Sequence, residues 1–300
     1  MSNSLITLRG RDFLSLGDLD RDELVGILDL AARIKSGAWQ ERPLTGRSVA
    51  MLFQKPSMRT RVSFEVGIAR LGGHSVTLGE TDVQIGERET VADAARVLER
   101  YVGLVVARLR SHADLVEMAG QSGIPVVNAL TELEHPCQAL ADLMTLRERF
   151  GSLDRFRLAY VGDGNNVVTS LAQAQSLLGF ELTVVTPPGY EPASTVRAAA
   201  PGMVVSNDPA AVAGSDAVYT DVWTSMGFEA ERSKRRAAFA EYQVDADLMR
   251  VAPDALFLHC LPAHRGEEVS DDVIDGPRSA VFDQAENRLH AQMALLALIA

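Results

Sequence analysis

The segment Lys55-Pro56-Ser57-Met58-Arg59-Thr60-Arg61 places two hydroxyls and three cationic side chains where an apolar run ends and a helical pattern begins. A helix starting here presents unpaired backbone N–H groups and the positive end of its dipole. With Ser57 and Thr60 as hydroxyl donors and the Arg59 fork matching phosphate oxygens, such a start makes a phosphate site. The alternative is a serine cap followed by solvated arginine, but arginine at a helix N-terminus is electrostatically unfavourable without an anion. Arg108 closes the apolar run Leu104-Val105-Val106-Ala107 and would point into a crevice from the carboxyl end of a strand, or else sit in water. In His135-Pro136-Cys137-Gln138, Pro136 suits the first position of a helix, which makes His135 the cap. His135 and Gln138 then lie one turn apart and can grip one polar group; the alternative is a structural histidine.

Three further segments carry a different chemistry. Gly162-Asp163-Gly164-Asn165-Asn166 resembles a dinucleotide-binding turn, but Val167 stands where its third glycine belongs. No acidic ribose partner follows the next strand, which ends in Thr186-Pro187-Pro188. An amide-bearing turn for a small polar ligand fits better than a nicotinamide site. Asp221 follows the apolar run Ala217–Thr220, where a carboxylate suits a ligand ammonium or merely caps a helix. Ser225 and Gly227 after it suit a loop that closes. His259-Cys260-Leu261-Pro262 follows Leu256-Phe257-Leu258 and would set Cys260 beside Asp221. A Cys–His nucleophilic pair is conceivable, yet His259 in a strand would face away from Cys260, leaving His135 or His264 for that task. Zinc is disfavoured, because His259, Cys260 and His264 lack a second Cys or His pair. His74, His112 and His290 show no ligand spacing.

The elements that must position these residues alternate. Strands are expected at Ser48–Phe53, Ser75–Leu78, Leu104–Arg108 and Pro125–Asn128, with helices at Arg59–Leu71, Thr90–Val102, Ala113–Ser122 and Pro136–Phe150. The first of these helices carries Val62, Val66 and Ala69 on one face. After a polar break at Gly151–Arg155 the rhythm resumes. Strands are expected at Arg157–Val161, Leu182–Thr186, Met203–Ser206, Ala217–Thr220, Ala255–Leu258 and Ala280–Phe282. Helices are expected at Val167–Leu178, near Ser194–Ala200 and at Ala285–Ile299, with a mobile, partly helical stretch over Glu229–Gln243. The pattern predicts an α/β fold of two doubly wound parallel-sheet domains. The first would span 1–150, completed by the C-terminal helix 285–300, and the second 151–284. Ligands in open α/β sheets lie outside the carboxyl ends of strands, and the singled-out residues fall there, which places the active site in the crevice between the domains.

Composition narrows the function classes. Among 300 residues, 29 Lys and Arg face 40 Asp and Glu, a net charge of −11 without a long basic run. That excludes a general binder of nucleic acid or of anionic membranes. Any anion must be held by a local cluster of Arg and backbone N–H groups. Cys137 and Cys260 are the two cysteines, which fits a reducing compartment rather than a disulfide framework. No signal-peptide pattern opens the sequence, and the apolar stretch Ala291–Ala300 is too short for a membrane span. A soluble, cytoplasmic protein is expected.

Taken in order, Ser-x-Arg-Thr-Arg, His-Pro-Cys-Gln, Asp-x-x-x-Ser-Met-Gly and His-Cys-Leu-Pro resemble the ornithine branch of the aspartate/ornithine carbamoyltransferase family. The resemblance runs from Phe13 to the closing helix. It implies a carbamoyl phosphate domain followed by an ornithine domain, a homotrimer that sometimes assembles further, and no metal or cofactor. Matched by motif, carbamoyl phosphate would be held by Ser57, Met58 through its N–H, Arg59, Thr60, Arg108, His135, Gln138, Cys260, Leu261 and Arg288, with Gln84 lent by a neighbouring subunit. Asn166, Asp221, Ser225 and Met226 match ornithine contacts. The family usually carries threonine where Met58 stands, so one hydroxyl is missing. Ser225-Met226-Gly227 speaks against acceptors such as acetylornithine, succinylornithine or putrescine, which remain the alternative reading.

The implied reaction is attack of the ornithine δ-amine on the carbamoyl carbon, giving citrulline and phosphate. An amine of pKa near ~10.4 is a free base about once in 2,500 at pH 7, so a site that lowers the pKa or orients the rare free base contributes much of the rate. Cys260, Arg108, His135 and Asp221 are the expected catalytic residues. The family serves arginine synthesis, and some members run in reverse in arginine breakdown.

Overall fold

A computed structural model describes residues 6–82, 85, 88–224 and 229–300. The chain divides into two compact units, Met1–Met144 with Asn287–Ala300, and Thr145–Glu286. The first unit contains α1 (Arg21–Lys35), β1 (Ser48–Phe53), α2 (Met58–Arg70), β2 (His74–Leu78), α3 (Val91–Leu98), β3 (Leu104–Arg108), α4 (His112–Gln121), β4 (Val126–Leu130) and the start of α5 (Pro136–Phe150). The second contains β5 (Arg157–Val161), α6 (Asn166–Leu178), β6 (Glu181–Val185), α7 (Ser194–Ala199), β7 (Met203–Ser206), β8 (Ala217–Thr220), α8 (Arg232–Ala238), α9 (Ala246–Val251), β9 (Leu256–His259), α10 (Asp271–Ile274) and the start of α11 (Val281–Ile299).

Each unit is built on a parallel sheet, as the alternating pattern requires. The strand orders are β2-β1-β3-β4 and β7-β6-β5-β8-β9. Every residue of β3, β4 and β8 is buried, which is why these strands read as unbroken apolar runs rather than alternating ones. Strand order reverses between β1 and β3 in the first unit and between β5 and β8 in the second. Those are the switch points where ligands bind in doubly wound sheets. Register sets Phe53 opposite Arg108 at the first, and Val161 opposite Thr220 and Thr220 opposite His259 at the second. The residues that follow these strand ends are therefore neighbours in space.

Four expectations are corrected. Ala280–Phe282 is not a strand: Ser279 makes an isolated bridge to Phe257, and Val281 already begins α11. The helix expected over Thr90–Val102 stops at Leu98, where the chain tightens into i→i+3 hydrogen bonds from Arg100 to Val97 and from Tyr101 to Leu98. On α2 the Val62, Val66 and Ala69 face turns outward, and Val62 is 50% exposed. The buried face carries Thr60, Phe64, Gly67 and Ile68, because a Cβ at Gly67 would already press on Met293 of α11 at 3.1 Å. Glu229–Gln243 is mostly helical rather than mostly loop, with α8 between two single 3-10 turns. Three helices, α1, α9 and α10, were not anticipated. α1 is held by a reciprocal Asp20–Glu23 capping box and buries Leu24, Ile27, Leu28, Ala31 and Ile34.

Candidate functional site

Two polar clusters form at the two switch points, one in each unit. In the first, Pro56 ends the run from β1, and Ser57 takes an extended backbone and caps α2, its Oγ accepting from the Thr60 N–H at 3.3 Å. The Ser57 hydroxyl also donates to Thr60 Oγ1 at 3.0 Å. Arg288, on α11, reaches both of its neighbours with separate arms. Nη2 donates to Thr60 Oγ1 at 3.1 Å, and Nη1 donates to Gln138 Oε1 at 3.0 Å. Gln138 Nε2 in turn donates to Asp142 Oδ1 at 2.8 Å, one turn further along α5. Gln292 joins from the next turn of α11. In the amide orientation its neighbours require, it accepts from Arg288 and donates to Ser63 Oγ at 2.7 Å.

Arg108 and Arg288 are both nearly fully buried, 8% and 4% exposed. His135, at the head of α5, is buried with them. Burial, reinforced by the positive charges of Arg288 and Arg108, holds its imidazole well below the usual histidine range. It is therefore neutral at neutral pH and can donate from a ring N–H. Buried cations beside the N-terminus of a 13-residue helix are an arrangement that can hold an anion. Arg59 is half-buried on the first turn of α2, and Met58 is 71% exposed beside it. Gln84 lies outside the described residues.

In the second unit the turn after β5 is shaped by glycine. A Cβ at Gly164 would lie 2.4 Å from the backbone nitrogen of Pro192, so no larger residue fits there. Asn165 then caps α6. Asp163, on the same turn, accepts from Arg235 Nη1 at 2.7 Å, and that nitrogen also donates to the Trp223 carbonyl at 3.1 Å. Arg235 thereby ties the turn after β5 to the segment after β8. Burial still raises the Asp163 carboxyl above its ordinary value, against the pull of Arg235.

Asp221 stands at the end of β8 and is 7% exposed. Its Oδ1 accepts from the Cys260 thiol at 2.9 Å, and its Oδ2 accepts from Asn165 Nδ2 at 2.9 Å. Both donors are neutral. Among the described residues no cationic side chain forms an ion pair with Asp221. Leu261 follows with a left-handed φ of 56°, its N–H donating to His259 Nδ1 at 2.8 Å. His259 Nε2 lies 3.1 Å from Glu268 Oε1, which also accepts from the His264 N–H. His259 thus serves the loop behind Cys260, as its strand position requires, and His264 Nδ1 faces the other Glu268 oxygen at 3.9 Å.

Two groups of side chains gather possible metal ligands within 4.8 Å of one another: Asp221, His259 and Cys260, and His264, Glu267 and Glu268. In the first, both His259 nitrogens are engaged, which leaves a thiol and a carboxylate, short of the four ligands a structural zinc takes. In the second, Glu267 is paired with Arg232 at 2.7 Å.

The structure thus gathers Ser57, Thr60, Gln138 and Arg288 into one hydrogen-bonded chain, with Arg108 and His135 in electrostatic reach of one another. It brings Asp221 and Cys260 into direct contact. Asn166 is the first residue of α6, next to Asn165. Ser225 and Met226 lie outside the described residues. Asp142, Gln292 and Glu268 carry no mark in the sequence reading, and Asn165 enters it as part of the amide-bearing turn, without a role of its own. The doubled asparagine was a signal for Asn165, and the i, i+4 spacing from Gln138 and from Arg288 was one for Asp142 and Gln292.

The chain matches two family models. Residues 11–148 match the carbamoyl-P binding domain of aspartate/ornithine carbamoyltransferase, and residues 154–299 match its Asp/Orn binding domain. The ornithine carbamoyltransferase of Symbiobacterium thermophilum is 53% identical over 98% of this chain and 99% of its own. The anabolic ornithine carbamoyltransferase of Pyrococcus furiosus is 50% identical over 98% of both chains. The solved structure of the ornithine carbamoyltransferase from Pyrococcus furiosus superposes with a TM-score of 0.94 at 49% identity, covering 98% of each chain.

Proposed function

The chain belongs to the aspartate/ornithine carbamoyltransferase family, and from that premise we propose that it transfers the carbamoyl group of carbamoyl phosphate to the δ-amine of L-ornithine, giving L-citrulline and phosphate. The observation that carries the choice of an amine acceptor is Asp221. A carboxylate this buried, held by two neutral donors, favours a cationic or amine-bearing ligand over an empty site. Its counterpart is the Arg108–Arg288–His135 cluster of the first unit, which favours an anion.

The roles follow from charge. The α2 N-terminus, Ser57, Arg59, Thr60 and Arg288 hold the phosphate and stabilise it as it leaves. As the carbamoyl carbon becomes tetrahedral, negative charge grows on its oxygen. Arg108 and the neutral His135 donate to that oxygen, where a preorganised donor acts only as charge develops. Gln138 offers its amide oxygen to the carbamoyl NH2. The Met58 side chain lacks a hydroxyl, so that position contributes its backbone N–H alone.

The acceptor amine must lose a proton to attack. Asp221 orients it, and the Asp221–Cys260 pair is the first acceptor of the released proton. An ammonium paired with a carboxylate alone would become harder to deprotonate, so burial of the pair must oppose that effect. Asn166, Ser225 and Met226 complete ornithine recognition in this reading, and Gln84 reaches the phosphate site of a neighbouring copy.

The proposed assembly is a homotrimer. It is supported by a groove of about 720 Å³ along the outer strand β2, lined by Val76, Leu78, Val97 and Tyr101, of which Val76, Val97 and Tyr101 are exposed. An uncovered apolar strand edge of this kind calls for a partner. No helix among the described residues is long and apolar enough to cross a membrane. Both cysteines are free, which supports a cytoplasmic location, and the anabolic name of the Pyrococcus furiosus relative supports a role in arginine biosynthesis.

Citrulline formation from carbamoyl phosphate, with L-ornithine compared against putrescine, acetylornithine and aspartate, tests the reading. Carbamoylation of ornithine above the others is expected. Preference for another amine would move the chain to a different acceptor branch.

A further inference from the structure

Asn165 has an amide whose direction is chemically forced. Its Oδ1 faces three donors: the N–H groups of Val167 at 2.9 Å and Val168 at 3.4 Å, which it caps, and the Tyr160 hydroxyl at 3.3 Å. Tyr160 is fully buried in β5. Burial, with the nearby negative charges of Asp221 and Asp163, holds its phenol well above the usual range, so it remains a donor. An amide oxygen surrounded by donors leaves Nδ2 on the opposite side. There it meets Asp221 Oδ2, which can only accept. The other Asp221 oxygen is taken by the Cys260 thiol. The carboxylate is therefore fixed from two directions, by the capped end of a 13-residue helix and by the exit of β9.

We propose that Asn165 is a positioning residue for the acceptor: it locks the Asp221 carboxylate in the orientation that receives the amine, and Tyr160 locks Asn165. The proposal rests on the acceptor role of Asp221 argued above, and it assigns a task to the asparagine that the family motif did not mark. Asp221 follows a strand end, and its carboxylate is held by this amide and by the Cys260 thiol. Without the amide, the carboxylate would rotate among its wells and spend part of its time off Cys260. The cap on α6 and the grip on Asp221 are separable tasks, because a shorter hydroxyl side chain can still cap the helix.

The test is Asn165→Ser, which retains a capping hydroxyl and is too short to reach Asp221, with Tyr160→Phe as a second variant. Steady-state kinetics with carbamoyl phosphate and ornithine should show the ornithine KM of Asn165→Ser raised by about tenfold or more, and the carbamoyl phosphate KM within about twofold of the parent. Tyr160→Phe should move the same parameter by less. Unchanged ornithine KM in Asn165→Ser would overturn the proposal. So would an equal rise in both KM values with a lowered Tm, because that is the signature of general loosening. A second readout needs no turnover. A thiol freed from a neighbouring carboxylate ionises more readily, so iodoacetamide should label Cys260 of Asn165→Ser at least about threefold faster. Absence of citrulline in the parent enzyme would sink the functional reading, whereas an unchanged labelling rate would sink the Asn165 proposal on its own.

Discussion

Arg288 and Thr60 are 228 residues apart in the chain, yet the guanidinium Nη2 of one lies 3.1 Å from the hydroxyl of the other. The same guanidinium holds Gln138 with its second arm. One cation from α11 thus joins the start of α2 to the start of α5. Arg288→Met should raise the carbamoyl phosphate KM by about 100-fold, and Arg288→Lys by about tenfold, because lysine restores charge without the fork. Initial-rate kinetics at saturating ornithine check this, and a carbamoyl phosphate KM near the parent value in both variants would remove Arg288 from the anion site.

His135 should not titrate between pH 6 and 9. Burial and the two arginines depress its folded pKa below the ordinary value of about 6.5. As pH falls through that ordinary value, the unfolded chain takes up a proton here and the folded chain does not, so stability declines toward acid. The stability is fully present above that value. Proton NMR of the ring should show constant shifts from pH 6 to 9, and the Tm of His135→Gln should fall less steeply between pH 7 and 5 than that of the parent. A midpoint near 6.5 for the ring would contradict the burial argument.

The two thiols should behave differently. Burial pushes Cys137 up to about 12, and its Sγ donates to the Asn128 carbonyl at 3.3 Å, so it should resist alkylation in the folded protein. Cys260 is half-buried and should label first, with ornithine slowing the reaction. Cys260→Ser should lower turnover by about tenfold and retain activity, since a hydroxyl still bonds Asp221. Peptide mass spectrometry after timed labelling checks the order. A stable carbamoyl adduct on Cys260 would favour a thiol nucleophile over direct amine attack.

Val76, 40% exposed on β2, lines the groove assigned to self-association. Val76→Lys would place a charge in that apolar surface. Sedimentation velocity should show a trimer for the parent and smaller species for the variant. A monomeric parent would contradict the assembly.

The sequence shows its sheets where local and tertiary demands agree. Leu104–Arg108 reads as a strand because all its residues are buried, and Pro136 begins α5 because it has no N–H to lose. Val281-Phe282 misleads, since a β-branched residue beside an aromatic suggests a strand, whereas Phe282 is 65% exposed on the first turn of a helix. On α2 the valines have helical spacing but face outward, because Gly67 gives the opposite face to Met293. Ser57, Arg108 and Asp221 were legible as strand-end residues with unusual chemistry. Glu268 was not, because its bond to His259 depends on a loop whose course no local pattern dictates.

The central claim is that the buried Asp221 carboxylate receives the acceptor amine. Citrulline production measured across ornithine concentrations, for the parent and for Asp221→Asn of matched Tm, tests it directly. The account predicts that the variant's ornithine KM rises by about 100-fold or more while the carbamoyl phosphate KM stays within about twofold. An Asp221→Asn enzyme with parental ornithine KM and turnover would contradict it.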